Sequence, residues 1–222
     1  MPSTETGVTR GKLAGWLVLV GILTTLGYGG RLSSGPPPKN ALYRYDLAAG
    51  TLLLELLVLV AVLLIARGVS REALGLRRPE SWWYAARLAA GLLVALLIFE
   101  QLLEAVLHAA REQGLEPTRW EPSHATAFAV NAVVVVCVAP FVEELTFRGL
   151  GMAVLSIYGP VLAVVGSAIA FAAAHGLVEG FPALLVFGIA IAYLRLRTKS
   201  VYPGMLFHAT FNAFALGVSF LR

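Results

Sequence analysis

The chain has 222 residues, of which 58% are hydrophobic and 14% charged. A soluble domain of this length has too little interior for so much apolar surface, so the composition excludes a soluble enzyme and points to an all-α, polytopic transmembrane helix bundle. The net charge of +4 does not mark a nucleic-acid partner, because the basic residues cluster beside apolar spans, where they anchor a membrane protein at the lipid surface.

Residues 1–12 are polar and carry Arg10 and Lys12. Leu13 to Tyr28 is apolar and reads as a retained first span, since Tyr28-Gly29-Gly30 is a poor signal-peptide cleavage site. Gly29-Gly30 and Gly35-Pro36-Pro37-Pro38 predict a loop over 29–46. Leu47 to Ala66 is a second span, interrupted only by Glu55. A basic loop with Arg67, Arg71, Arg77 and Arg78 follows. Trp82, Trp83 and Tyr84 form an interfacial belt that opens a third span, which runs to about His108. Glu100 and Glu104 share a face of that span and either line a cavity or approach the interface. Residues 109–123 are polar, and His108 and His124, which flank them, read as interfacial.

The fourth span starts near His124 and runs to Ile157, with a kink expected at Pro140. After a break at Gly159-Pro160, Val161 to Leu177 is a fifth span rich in Ala, Gly and Ser, residues that let helix backbones approach closely. Phe181 to Leu194 is a short sixth span, followed by a second basic loop with Arg195, Arg197 and Lys199. Val201 to Leu221 is the seventh. The expectation is seven spans, or eight, in one integral membrane domain: residues 1–123 supply the N-terminal helices and loops, and residues 124–222 the helices that carry the chemistry.

That chemistry centres on Ala139 to Gly149. Glu143 and Glu144 lie between two uncharged stretches, Asn131 to Val142 and Leu150 to Ala174. Ionisable groups at membrane depth are expensive and point to function. On a helix Glu144 and Arg148 share a face and can pair. Glu143 is rotated about 100° away and is left free. A buried polar cluster that only locks helices together is the alternative.

Glu143 lies 16 residues before Gly159 and His175 lies 16 after it. On regular helices both are about 24 Å from that turn, so antiparallel neighbours bring a carboxylate and an imidazole to one level. His208 and Asn212 share a face of the seventh span but sit only about 12–18 Å past the Ser200 loop, so the match requires tilt or an inserted loop. Closed around one water, these four residues suit hydrolysis. Glu143 is the general base, His175 orients the water or shuttles its proton, and His208 with Asn212 donates to an oxyanion. His175 and His208 could equally be satisfied core histidines. No Gly-x-Ser-Gly is present for a serine intramembrane protease, and a single aspartate, Asp46, excludes a two-aspartate enzyme within one chain.

The three motifs Glu143-Glu144-x-x-x-Arg148, Phe171-x-x-x-His175 and His208-x-x-x-Asn212 resemble, in order and spacing, those of the CAAX-protease and bacteriocin-processing family, the CPBP or Abi proteins. The resemblance covers residues 124–220, and the first three spans are only loosely comparable. It implies an intramembrane endopeptidase acting on a membrane-associated or lipidated protein or peptide. In it Glu143 and His175 activate water, His208 and Asn212 stabilise the oxyanion, and Glu144 and Arg148 hold the site together. The family has been called both metalloprotease and glutamate protease. Zinc could be held by Glu143, His175 and His208, but no His-Glu-x-x-His helix is present, and a mechanism without a cofactor is favoured. A membrane scaffold or a small-solute transporter built on the same polar cluster is the rival from another class. The expected setting is a prokaryotic inner membrane. The basic loops at 67–83 and 195–200 put the N-terminus in the cytoplasm and Arg222 outside, against a weaker basic loop with Arg31, Lys39 and Arg44.

Overall fold

The computed structural model describes residues 7–35, 38, 40–107 and 120–218, which form seven helices and no strand. These are α1 (Arg10–Ser34), α2 (Tyr45–Ile65), α3 (Trp82–Leu107), α4 (Pro122–Tyr158), α5 (Pro160–Ala174), α6 (Phe181–Thr198) and α7 (Tyr202–Val218). Five of them, α1, α2, α3, α4 and α6, are long and apolar enough to cross a membrane, and α5 is a shorter apolar helix. Large apolar side chains such as Leu17, Ile22, Leu53, Leu57, Val94 and Ile98 are exposed on α1, α2 and α3, where lipid replaces water. The chain is an integral membrane helix bundle.

The bundle is built around α6. Half of its apolar window is buried, against at most 17% for α1 to α3. Ile191 and Leu194 are fully enclosed there, together with Leu150 and Val154 of α4 and Phe171 of α5. The small residues of α5 permit a close antiparallel pairing with α6, in which a Cβ on Gly188 would lie 3.1 Å from Ala168.

Several boundaries differ from expectation. The helix continues through Gly29-Gly30. Both glycines face open space, so each costs only its helix propensity, about 1 kcal/mol. The stop comes at Gly35, whose φ of +72° suits glycine and whose N–H returns to Arg31 O. The fifth span ends at Ala174, and His175 is its C-terminal cap. The next residue, Gly176, has a φ of +64°, and a Cβ there would strike the backbone of Gly27 at 2.3 Å. That glycine-to-glycine contact lets α1 press on the end of α5 beside His175. Arg195 and Arg197 belong to the last turn of α6, and only Lys199 lies beyond it. Arg195 turns inward and donates to Ala73 O at 3.1 Å.

On either side of Pro140, where a kink is expected, the helical winding changes. Residues Val134–Val138 and Glu144–Gly151 are π-helical, inside one continuous helical course. A π-turn absorbs an extra residue and is common at functional sites. His124 is exposed and lies 2.8 Å from Glu121. Glu100 is half-buried. His108, residues 109–119 and the Glu104 side chain lie outside the described residues.

Candidate active site

The winding of α4 sorts its two carboxylates. Glu144 is fully buried and accepts from Arg148 Nη1 at 2.9 Å, the pairing its spacing predicts. Arg148, also fully buried, donates from Nη2 to Gly188 O at 3.1 Å and lies 4.3 Å over the Phe171 ring. The guanidinium thereby ties α4 to α5 and α6. Gly204 on α7 makes room for this pair, since a Cβ there would lie 3.0 Å from Glu144 Oε2.

Glu143 points elsewhere. Its Oε2 lies 3.9 Å from His175 Nε2 and 3.8 Å from His208 Nε2, and it is buried without a hydrogen-bond partner. His175 Nδ1 is 2.8 Å from Phe171 O, which only accepts, so Nδ1 carries the proton and Nε2 is turned to Glu143. His208 Nδ1 is 3.2 Å from Glu144 Oε1, which fixes its ring in the same way. The Phe171 ring packs against both imidazoles, at 4.5 and 5.8 Å. The chain therefore brings Glu143, His175 and His208 to one point. His208 reaches that depth because Ser200 and Val201 are fully buried and Val201 N–H donates to Gly75 O at 3.0 Å, so α7 starts inside the protein.

Asn212 lies one turn beyond His208, and its amide donates to Val135 O at 2.9 Å. Ala139 N–H has moved to Val134 O, and Pro140 has no N–H to offer. Val135 O is thus left without a helical partner, and Asn212 supplies one. The second N–H of its amide is not engaged by this bond.

Two residues outside the three motifs also reach this region. Trp16 of α1 is buried, donates from Nε1 to Thr146 O at 2.9 Å, and packs on Gly151, where a Cβ would lie 2.7 Å from the indole. Glu55 of α2 is half-buried and interacts electrostatically with Glu143. Its status as the one charge in an apolar span was the available signal. Nothing comparable marked Trp16, whose partner is a glycine far along the chain.

Zinc in a tetrahedral N/O site, with bonds of about 2.0–2.2 Å, sets neighbouring ligand atoms about 3.4 Å apart. The Glu143-to-imidazole distances are wider, and among the described residues no group of three His, Cys, Asp or Glu is disposed to hold a metal ion. Glu143 thus stands somewhat farther from both imidazoles than zinc ligands stand from one another.

Residues 125–214 match the family model described as Rce1-like, type II CAAX prenyl endopeptidase. No curated protein and no solved structure matches the chain. The matched region contains Glu143, Glu144, Arg148, Phe171, His175, His208 and Asn212, and the helices before it lie outside the match. Over residues 125–214 the chain is similar to the type II CAAX prenyl endopeptidases of the Rce1-like family, in agreement with the CPBP resemblance of its three motifs.

Proposed function

We propose that the chain is an intramembrane endopeptidase that cleaves a peptide bond in a membrane-associated or lipidated protein by means of a water held between Glu143, His175 and His208. The observation that carries this reading is the buried Glu143 Oε2, which has no hydrogen-bond partner and faces two imidazole nitrogens at 3.8–3.9 Å. Such a separation is too long for a direct hydrogen bond and suits a bridging water. Glu143 accepts a proton from that water as the hydroxide attacks the scissile carbonyl. His175, oriented by Phe171 O, shares the proton and passes it to the leaving amine. The oxyanion takes hydrogen bonds from His208 Nε2, when that ring carries both protons, and from the free N–H of Asn212. Glu144 and Arg148 hold His208 and the three helices in register.

The family's description as prenyl endopeptidases favours a substrate with an isoprenoid or other lipid near the cut. The basic loops favour a cytoplasmic N-terminus. Comparison of the membrane proteome from cells with the wild-type chain and with Glu143→Ala tests the activity. A new protein terminus present only with the wild type is expected. No difference at equal expression would favour a scaffold or a solute transporter instead.

A further inference from the structure

The first turns of α3 border two adjoining openings that match the two halves of a lipid. On one flank, Glu80, Ser81 and Tyr84 face Arg197 and Thr198 across a cleft of about 250 Å³. Its walls are fixed in place. Val201 N–H is bound to Gly75 O, Arg195 to Ala73 O, and Ser81 Oγ caps the Tyr84 N–H at 3.1 Å. The cleft is short of negative charge. Glu80, its one carboxylate, is already shared by Lys199 at 3.4 Å and Arg77 at 4.0 Å. Arg197 donates to the neutral Tyr193 hydroxyl, and among the described residues it pairs with no carboxylate. Three cations, Lys199, Arg77 and Arg197, therefore stand about one anion.

On the other flank, a groove of about 230 Å³ runs between α3 and α7. It starts at Trp82 and Pro203, the first turns of both helices, and extends to Leu93 and Thr210. The alanines at 85, 86, 89 and 90 keep it open. From Trp82 to Leu93 it spans about 16 Å, close to half of a hydrocarbon core about 30 Å thick. Its length is that of one acyl chain in one leaflet, and it ends beside the Trp82–Trp83 belt where a headgroup sits.

We propose that this end of α3 binds one anionic phospholipid, with its phosphate in the Arg197 cleft and one acyl chain in the groove between α3 and α7. A zwitterionic lipid leaves the excess positive charge unmet, and free phosphate leaves the groove unfilled. Phe207 lines the groove and precedes His208, so the bound chain buttresses the helix that carries the imidazole. The site does not depend on the reaction proposed above.

The test is lipid retention. Full-length protein is reconstituted in vesicles of equal phosphatidylglycerol and phosphatidylcholine, re-extracted in mild detergent, and its bound lipid measured by mass spectrometry. The wild type is expected to retain phosphatidylglycerol in excess. Arg197→Gln, at an exposed position, is expected to lower that retention about fivefold, the effect of one basic residue near a membrane surface. Ala86→Phe is expected to lower it with the charges intact. Arg10→Gln, at an exposed position that does not line the cleft, is expected to leave it unchanged. Three results would each overturn the proposal: no preference in the wild type, equal losses in Arg10→Gln and Arg197→Gln, or displacement of the lipid by inorganic phosphate alone.

Discussion

The Asn212 amide donates at 2.9 Å to the Val135 carbonyl, from which the π-turn and Pro140 withdraw the usual helical donors. An orphaned buried acceptor costs about 1–3 kcal/mol and this one is partly buried, so Asn212→Ala is expected to lower the melting temperature in detergent by no more than that range implies. Pro140→Ala restores an N–H in the π register of Val135. In the Asn212→Ala background it should recover part of the loss while leaving cleavage impaired, because the oxyanion donor is still missing. Strictly additive melting shifts across the two singles and the double would break this link.

Glu143 and Glu144 are neighbours with different partners, and mutation should separate the roles proposed for them. Glu143→Gln keeps the shape and removes the base, so cleavage is expected to fall at least about 10²-fold with little change in melting temperature. His175→Ala should fall comparably. Full activity in Glu143→Gln, measured on the substrate found by proteomics, would remove Glu143 from the reaction.

Arg148 belongs to the other class. Its removal leaves the fully buried Glu144 carboxylate uncompensated, which typically costs about 3–5 kcal/mol, and also takes away the contacts to Gly188 O and Phe171. Arg148→Ala should therefore melt well below Glu143→Gln. Equal melting temperatures for the two variants would contradict the division.

Much of this was legible because helices repeat. The Glu144–Arg148 pair follows from a spacing of four, and the turn at Gly159-Pro160 from residue type; Gly159 has a φ of +102°. What local rules misread were the exceptions to α-helical winding and the contacts between distant segments. Gly29-Gly30 break a helix only where something punishes them, and here they face open space. The register of α4 changes twice through π-turns, which no spacing rule for α-helices anticipates. The depth of His208 rests on the burial of Val201 against Gly75, a pairing between residues 126 positions apart.

Metal dependence has a direct check. The wide spacing of Glu143 from both imidazoles leads us to expect activity that survives exhaustive chelation, and purified protein without stoichiometric zinc. Activity lost to a chelator and restored by zinc would mean that Glu143, His175 and His208 draw together around an ion, and the water would then be activated by the metal.

Orientation is the last expectation, and the fold narrows it. Lys12 donates to Gly7 O, and Gly7 lies against the backbone of Gly68. Residues 73–80 in turn bind Arg195, Lys199 and Val201. The start of α1 and both basic segments thus share one end of the bundle, which the charge rule predicts to be cytoplasmic. At the opposite end Tyr28 donates to Leu177 O beside His175. The 15 residues of α5 raise His175 about 22 Å above the Gly159-Pro160 turn, into the outer half of a core about 30 Å thick. The site is therefore expected to lie nearer the non-cytoplasmic side. Cysteine labelling of intact cells, after Cys137→Ala, decides it. Glu179→Cys and Lys199→Cys are both at exposed positions, on the outer and inner ends of α5–α6 in this topology. An impermeant maleimide should label the first and not the second. Labelling of Lys199→Cys alone would invert the topology, turn the site toward the cytoplasm, and favour a cytoplasmic lipidated protein as its substrate.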